Sequence, residues 1–141
     1  MVSSSIASQY SGALPTSEKN RKIVGQTKPL YSKEDILNIL SSSSVVAWSR
    51  GCIEDMQKWE FDQDDIDILT ATAVECGKYL GSEWCQPKPE GPWAACDAYR
   101  LIRTEWNQHA FKEIDCVYYI KVAIGKTGRI ILLASCHPDG C

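Results

Sequence analysis

The stretch Ile114-Asp115-Cys116-Val117-Tyr118-Tyr119-Ile120-Lys121-Val122-Ala123-Ile124-Gly125-Lys126-Thr127-Gly128-Arg129-Ile130-Ile131-Leu132-Leu133-Ala134-Ser135-Cys136-His137 decides the fold. Two runs rich in β-branched and aromatic residues flank Gly-Lys-Thr-Gly, the pattern of a β-hairpin. With Lys126-Thr127-Gly128 read as a three-residue loop, Gly128 takes the left-handed position and Gly125 faces Arg129. One face then holds Tyr118, Ile120, Val122 and Ile124 beside Ile130, Leu132, Ala134 and Cys136, all of them apolar or aromatic. The other carries Val117, Tyr119, Lys121 and Ala123 beside Ile131, Leu133, Ser135 and His137. In this register Tyr119 lies opposite Ser135, with His137 diagonal to it. A four-residue loop would scramble the two sets, and burial of one face disfavours that slip.

Upstream of the hairpin, Ala95 to Arg103 alternates as a third strand, which puts Arg100 and Arg103 on opposite faces. Cys85 to Trp93 contains three prolines and a glycine and reads as a loop. Three helices precede it. Ser32 caps the first, whose stripe is Ile36, Leu37, Ile39 and Leu40. A second spans Arg50 to Trp59. Asp62 caps the third, which buries Ile66, Leu69, Ala73 and Val74, runs to about Tyr79 and is stopped by Gly81. The predicted class is α+β, with N-terminal helices packed on a small C-terminal antiparallel sheet of at least three strands. Residues 1–27, polar and with the basic cluster Lys19-Asn20-Arg21-Lys22, read as a flexible arm before a single domain over 28–141.

With 141 residues, 44% apolar and 23% charged, the chain can build a core without staples, and whole-chain disorder is excluded. No apolar run is long enough for a membrane span. Seven cysteines, an odd number without Cys-x-x-Cys spacing, point to reduced thiols, and with no secretion signal the expected compartment is cytoplasmic. Cys136, His137 and Cys141 are the nearest approach to a ligand cluster, but a zinc site needs a fourth. Buried thiols are the favoured reading, with no metal or cofactor. Of the net charge of −3, residues 51–90 carry the acidic excess, with three basic and ten acidic groups. That block argues against a protein coated in positive potential, so any nucleic-acid contact must be local.

Tyr119, Lys121, Ser135 and His137 nevertheless share a sheet face. Metal-free RNA cleavage needs a base for the 2′-hydroxyl, an acid for the leaving 5′-oxygen and cations for the phosphorane. Imidazole suits the proton transfers near neutral pH, Lys and Arg suit the charge, and Tyr can hydrogen-bond a phosphate or stack on a base. Taken one at a time, each residue has a plainer use as a surface His, a packing Tyr or a solubilising Lys.

The order of elements, together with Ser32 to Leu40 and the Asp-capped helix from Phe61 to Leu69, resembles the MqsR family of RelE-like messenger-RNA interferase toxins. Asp97-Ala98-Tyr99-Arg100 matches that family's Asp-Val-Tyr strand. Tyr118-Tyr119-Ile120-Lys121-Val122 matches its Val-Tyr-Leu-Lys-Ile strand. Leu132-Leu133-Ala134-Ser135-Cys136-His137 matches its closing strand, so the likeness covers roughly residues 31 to 138. It implies an RNA endonuclease that uses no metal and is neutralised by a cognate antitoxin protein. The implied catalytic residues are His137, Tyr119 and Lys78, the last being the nearest match to a family lysine. RNA contacts are expected from Lys121, Arg100, Arg103 and Arg129. The family's glutamine before Asp-Val-Tyr is Cys96 here, and the chain is less basic than the family. The competing expectation is a non-catalytic inhibitor or immunity-type module that binds a protein partner through its acidic residues 54–67. In that reading some of the five tryptophans serve as anchors, although Trp59 and Trp93 read as core.

Overall fold

A computed structural model describes residues 5–16 and 20–140 of the chain. Three helices, α1 (Lys33–Leu40), α2 (Arg50–Lys58) and α3 (Gln63–Cys76), begin where polar caps satisfy their free N–H groups. Ser32 Oγ accepts from Asp35 N, and Ser49 Oγ accepts from Cys52 N. Asp62 and Asp65 form a reciprocal capping box with bonds of 2.8 and 2.9 Å. Ile36, Ile66, Leu69, Ala73 and Val74 are fully or nearly fully buried, as their helical spacing predicts.

The helices pack on a five-stranded mixed sheet of order β1-β5-β4-β3-β2, made of β1 (Val45–Ala47), β2 (Lys78–Cys85), β3 (Ala94–Asn107), β4 (Lys112–Ile124) and β5 (Ile131–Gly140). This corrects the expectation of a small, purely antiparallel C-terminal sheet. Both outer strands come from the helical half of the chain, and β1 runs parallel to β5. Neither has a strong local signal: β1 is three residues long, and β2 continues directly from a helix.

The expected third helix is also too long. It stops at Cys76, where the chain turns extended at Gly77 (φ −78°, ψ 170°) in a place that admits only glycine: a Cβ there would sit 2.4 Å from Ala73 O and 3.1 Å from Arg100 O. Lys78–Cys85 then pairs antiparallel with β3, and Gly81, at φ +135°, marks a bulge in β2 instead of stopping a helix. Long-range pairing has overridden local helix propensity.

The β4–β5 hairpin departs from the expected register twice. Ile124 pairs with Ile131 and Gly125 N donates to Ile130 O, so the connection is Lys126–Arg129, four residues, with Gly128 left-handed at φ +75°. That slip turns Ile131 and Leu133 into the helix-side core, where neither is solvent-exposed, and Leu132 to the other side. A bulge at Ala134 then adds a second one-residue shift, pairing Lys121 with Ser135, Ile120 with Cys136 and Tyr119 with His137. Two odd shifts make an even one, so the polar end regains its expected parity.

The N-terminal segment lies against the domain. Ile6 bridges Trp93, Ser8 bridges Gly125, and Lys22 bridges Glu83 on β2. Ile6, Tyr10, Leu14, Ile23 and Leu30 pack on a second small core of Trp84, Trp93 and Ala95. No helix among the described residues is long and apolar enough to cross a membrane.

Candidate functional site

The sheet face turned away from Ile120, Val122 and the helices carries the polar side chains. Adjacent registers place Lys78 opposite Arg100, Arg100 opposite Tyr119, and Tyr119 opposite His137. Four residues on four consecutive strands therefore form one row across the sheet. Adjacent strands are about 4.8 Å apart, so the row spans roughly 14 Å of backbone. Tyr119 and His137 are in register, with ring centroids 6.1 Å apart at 42°. Arg100, Tyr119 and His137 are half-buried, whereas Lys78 is exposed at the start of β2. Among the described residues none accepts from Arg100 Nε, although that atom is shielded from solvent. A shielded donor of this kind lacks the partner that buried polar groups normally have.

A second row, one two-residue step along, runs Gly81, Ala98, Lys121 and Ser135. Lys121 Nζ makes a 2.5 Å ion pair with Glu83 Oε1. Burial alone would lower the Lys121 ammonium, but the hydrogen bond and negative charge of Glu83 hold it above its ordinary value. Glu83 lies in a segment whose sequence reads as helix end and loop, so the partner of Lys121 carried no signal. Beside the pair lies a cavity of about 420 Å³, lined in part by Ile23, Val24, Leu80 and Ala98.

Two expected RNA contacts lie elsewhere. Arg103 is on the helix side, 3.4 Å from Glu105 Oε2 and over the Tyr118 ring at 5.5 Å, while the Tyr118 hydroxyl also donates to Glu105. Its role is to hold that corner of the sheet together. Arg129 sits in the β4–β5 turn beside Asn38 and Ser41, eight residues and roughly 25 Å along the strand from His137.

Cys136 faces the helix-side core, on the opposite face from its neighbour His137, and burial pushes its thiol up to about 12. The two cannot work as a nucleophile and base. Cys116 is disulfide-bonded, so the expectation of uniformly reduced thiols does not hold there. Of the expected ligand trio, Cys141 lies outside the described residues, and among those described no group of three His, Cys, Asp or Glu is placed to hold a metal ion. Trp93 is core, as expected, but Trp59 is 43% exposed with Lys58 over its ring.

Comparison of the chain with family models, curated proteins and solved structures finds no match.

Proposed function

We propose that the exposed sheet face is an RNA-cleaving surface, and that the protein is an endoribonuclease working by 2′-hydroxyl attack without a metal. The observation that carries this reading is the Lys78–Arg100–Tyr119–His137 row. A base, a phenol and two cations line up on one face, within the reach of a single phosphodiester and its two sugars.

In this reading His137 takes the 2′-hydroxyl proton as the oxygen attacks phosphorus. Arg100 and Lys78 offset the charge on the phosphorane, and the Tyr119 hydroxyl donates to a non-bridging oxygen. The 5′-oxygen leaves with the proton that His137 took, giving a 2′,3′-cyclic phosphate and a 5′-hydroxyl. Arg100 carries the most weight among the cations because it is directly opposite Tyr119, nearer the reacting groups than Lys78.

The test uses purified full-length protein on cellular RNA in EDTA. Cleavage is expected, with His137→Ala slowing it by about 10²- to 10⁴-fold and Tyr119→Phe slowing it measurably. RNA left intact at micromolar protein would refute the proposal. As the toxin of a toxin–antitoxin pair, the protein would also arrest growth when expressed alone, and a cognate antitoxin would relieve the arrest.

A second reading has its own observation. Ile53, Trp59 and Ile68 are exposed on the helices that carry the acidic block, a pattern suited to docking a protein partner. A non-catalytic inhibitor would leave RNA intact, spare its host and protect against a basic target.

A further inference from the structure

The cavity of about 420 Å³ beside the proposed cleavage row has a carboxylate and an ammonium among side chains that are otherwise largely aliphatic. Lys22, Ile23 and Val24 of the N-terminal segment line it together with Leu80 of β2, Ala98 of β3 and the Glu83–Lys121 pair. Val24 and Leu80 are 94% and 48% exposed, so the cavity is open to solvent on their side. Lys121 is two residues from Tyr119 on the same face of β4, about 7 Å along the strand. A base held here would belong to the nucleoside adjoining the phosphate over the row.

Apolar side chains stack any base and Lys22 adds only a further donor, so an acceptor for base N–H groups must come from Glu83, which Lys121 holds. Lys121 occupies Glu83 Oε1, which fixes the carboxylate and leaves its remaining lone pairs for a ligand. A base that suits this edge must present two neighbouring N–H donors to the carboxylate and an acceptor to the ammonium. Guanine does so, with N1–H and the N2 amino group beside O6. Adenine and cytosine each offer one amino donor next to a ring-nitrogen acceptor, which opposes a carboxylate. Uracil offers one N–H between two carbonyl oxygens.

We infer that this cavity is a nucleobase subsite in which Glu83 and Lys121 select guanine next to the cleaved phosphate. The inference rests on the ribonuclease reading for its place beside the reacting phosphate, but its recognition chemistry can be measured alone. The experiment titrates full-length protein with the four nucleoside 3′-monophosphates by calorimetry and maps the cut sites on RNA in parallel. The guanine nucleotide should bind at least about tenfold tighter than the other three. Glu83→Gln, which replaces one acceptor oxygen by a donor, should reduce that preference to about twofold or less. Leu80→Trp, which fills the cavity from an exposed position, should weaken all four nucleotides while circular dichroism stays unchanged. Equal binding of the four, or a guanine preference that survives Glu83→Gln, would overturn the inference. RNA cut without guanine enrichment would overturn it and leave the ribonuclease reading standing. Selective, Glu83-dependent guanine binding with RNA left intact would support the subsite and refute the ribonuclease.

Discussion

Asp97 shows how much one side chain decides. Its Oδ1 accepts from Leu30 N at 2.9 Å and Ser82 Oγ at 2.6 Å, and its Oδ2 accepts from Tyr31 N at 3.1 Å. It therefore pins the entry to α1 onto β3 from a fully buried position. Asp97→Ala would orphan two backbone N–H groups and is expected to cost on the order of 3 kcal/mol in urea unfolding. Burial raises the Asp97 carboxyl above its ordinary value, against the lowering effect of those hydrogen bonds. The folded state thus holds this proton to higher pH than the unfolded state, so Asp97's contribution falls as pH rises from the unfolded carboxylate value through the raised folded one. Unfolding free energies measured from pH 3 to 7 should show that loss in the native chain and lack it in Asp97→Asn. Two arginines on β3 provide the functional contrast. Arg100→Gln should reduce RNA cleavage by about 10²-fold or more, since it removes a phosphorane-stabilising cation. Arg103→Gln, on the other face, should leave the cleavage rate within a few fold, which initial rates would check.

At the level of elements, the Ala134 bulge sets the site. Deleting Ala134 would only close the bulge and keep Ser135 opposite Lys121, but inserting one residue between Ser135 and Cys136 would put His137 one residue out of phase, on the helix side and away from Tyr119. Cleavage should then vanish even in any variant molecules that still fold, as circular dichroism and RNA assays together would show. Ser49 is tied to the same place. Its hydroxyl donates to Ala134 O at 2.6 Å while accepting from Cys52 N, so one side chain caps α2 and fastens it to the bulge. Ser49→Ala is expected to cost about 1–2 kcal/mol, lowering the thermal midpoint by several degrees. Pairing patterns of this kind were only partly legible in advance. Tyr118-Tyr119-Ile120-Lys121-Val122 alternates and its facing could be read, but Ile130-Ile131-Leu132-Leu133-Ala134 is apolar throughout. A continuous apolar run has no parity, so it could not announce the four-residue turn or the compensating bulge.

Across the whole molecule, the N-terminal segment completes the structure. Trp84 and Trp93 are nearly fully buried, and Ile6, Tyr10, Leu14 and Ile23 help cover them. Removing residues 1–24 should destabilise the domain by about 3 kcal/mol or more and open tryptophan fluorescence to acrylamide quenching. By itself the chain determined its three helix starts, because Ser32, Ser49 and Asp62 cap their helices with side chains at fixed short spacing. It also determined the strand character of the last third, whereas Tyr119, Lys121, Ser135 and His137 share a face as expected only because two one-residue shifts cancel. Only the tertiary structure decided that β1 and β2 flank the sheet, that Lys78 and Arg100 extend the row, and that Glu83 meets Lys121. Those outcomes depend on which distant segments pair. Strand pairing is settled by hydrogen bonds and burial between residues far apart in sequence, which no local pattern encodes.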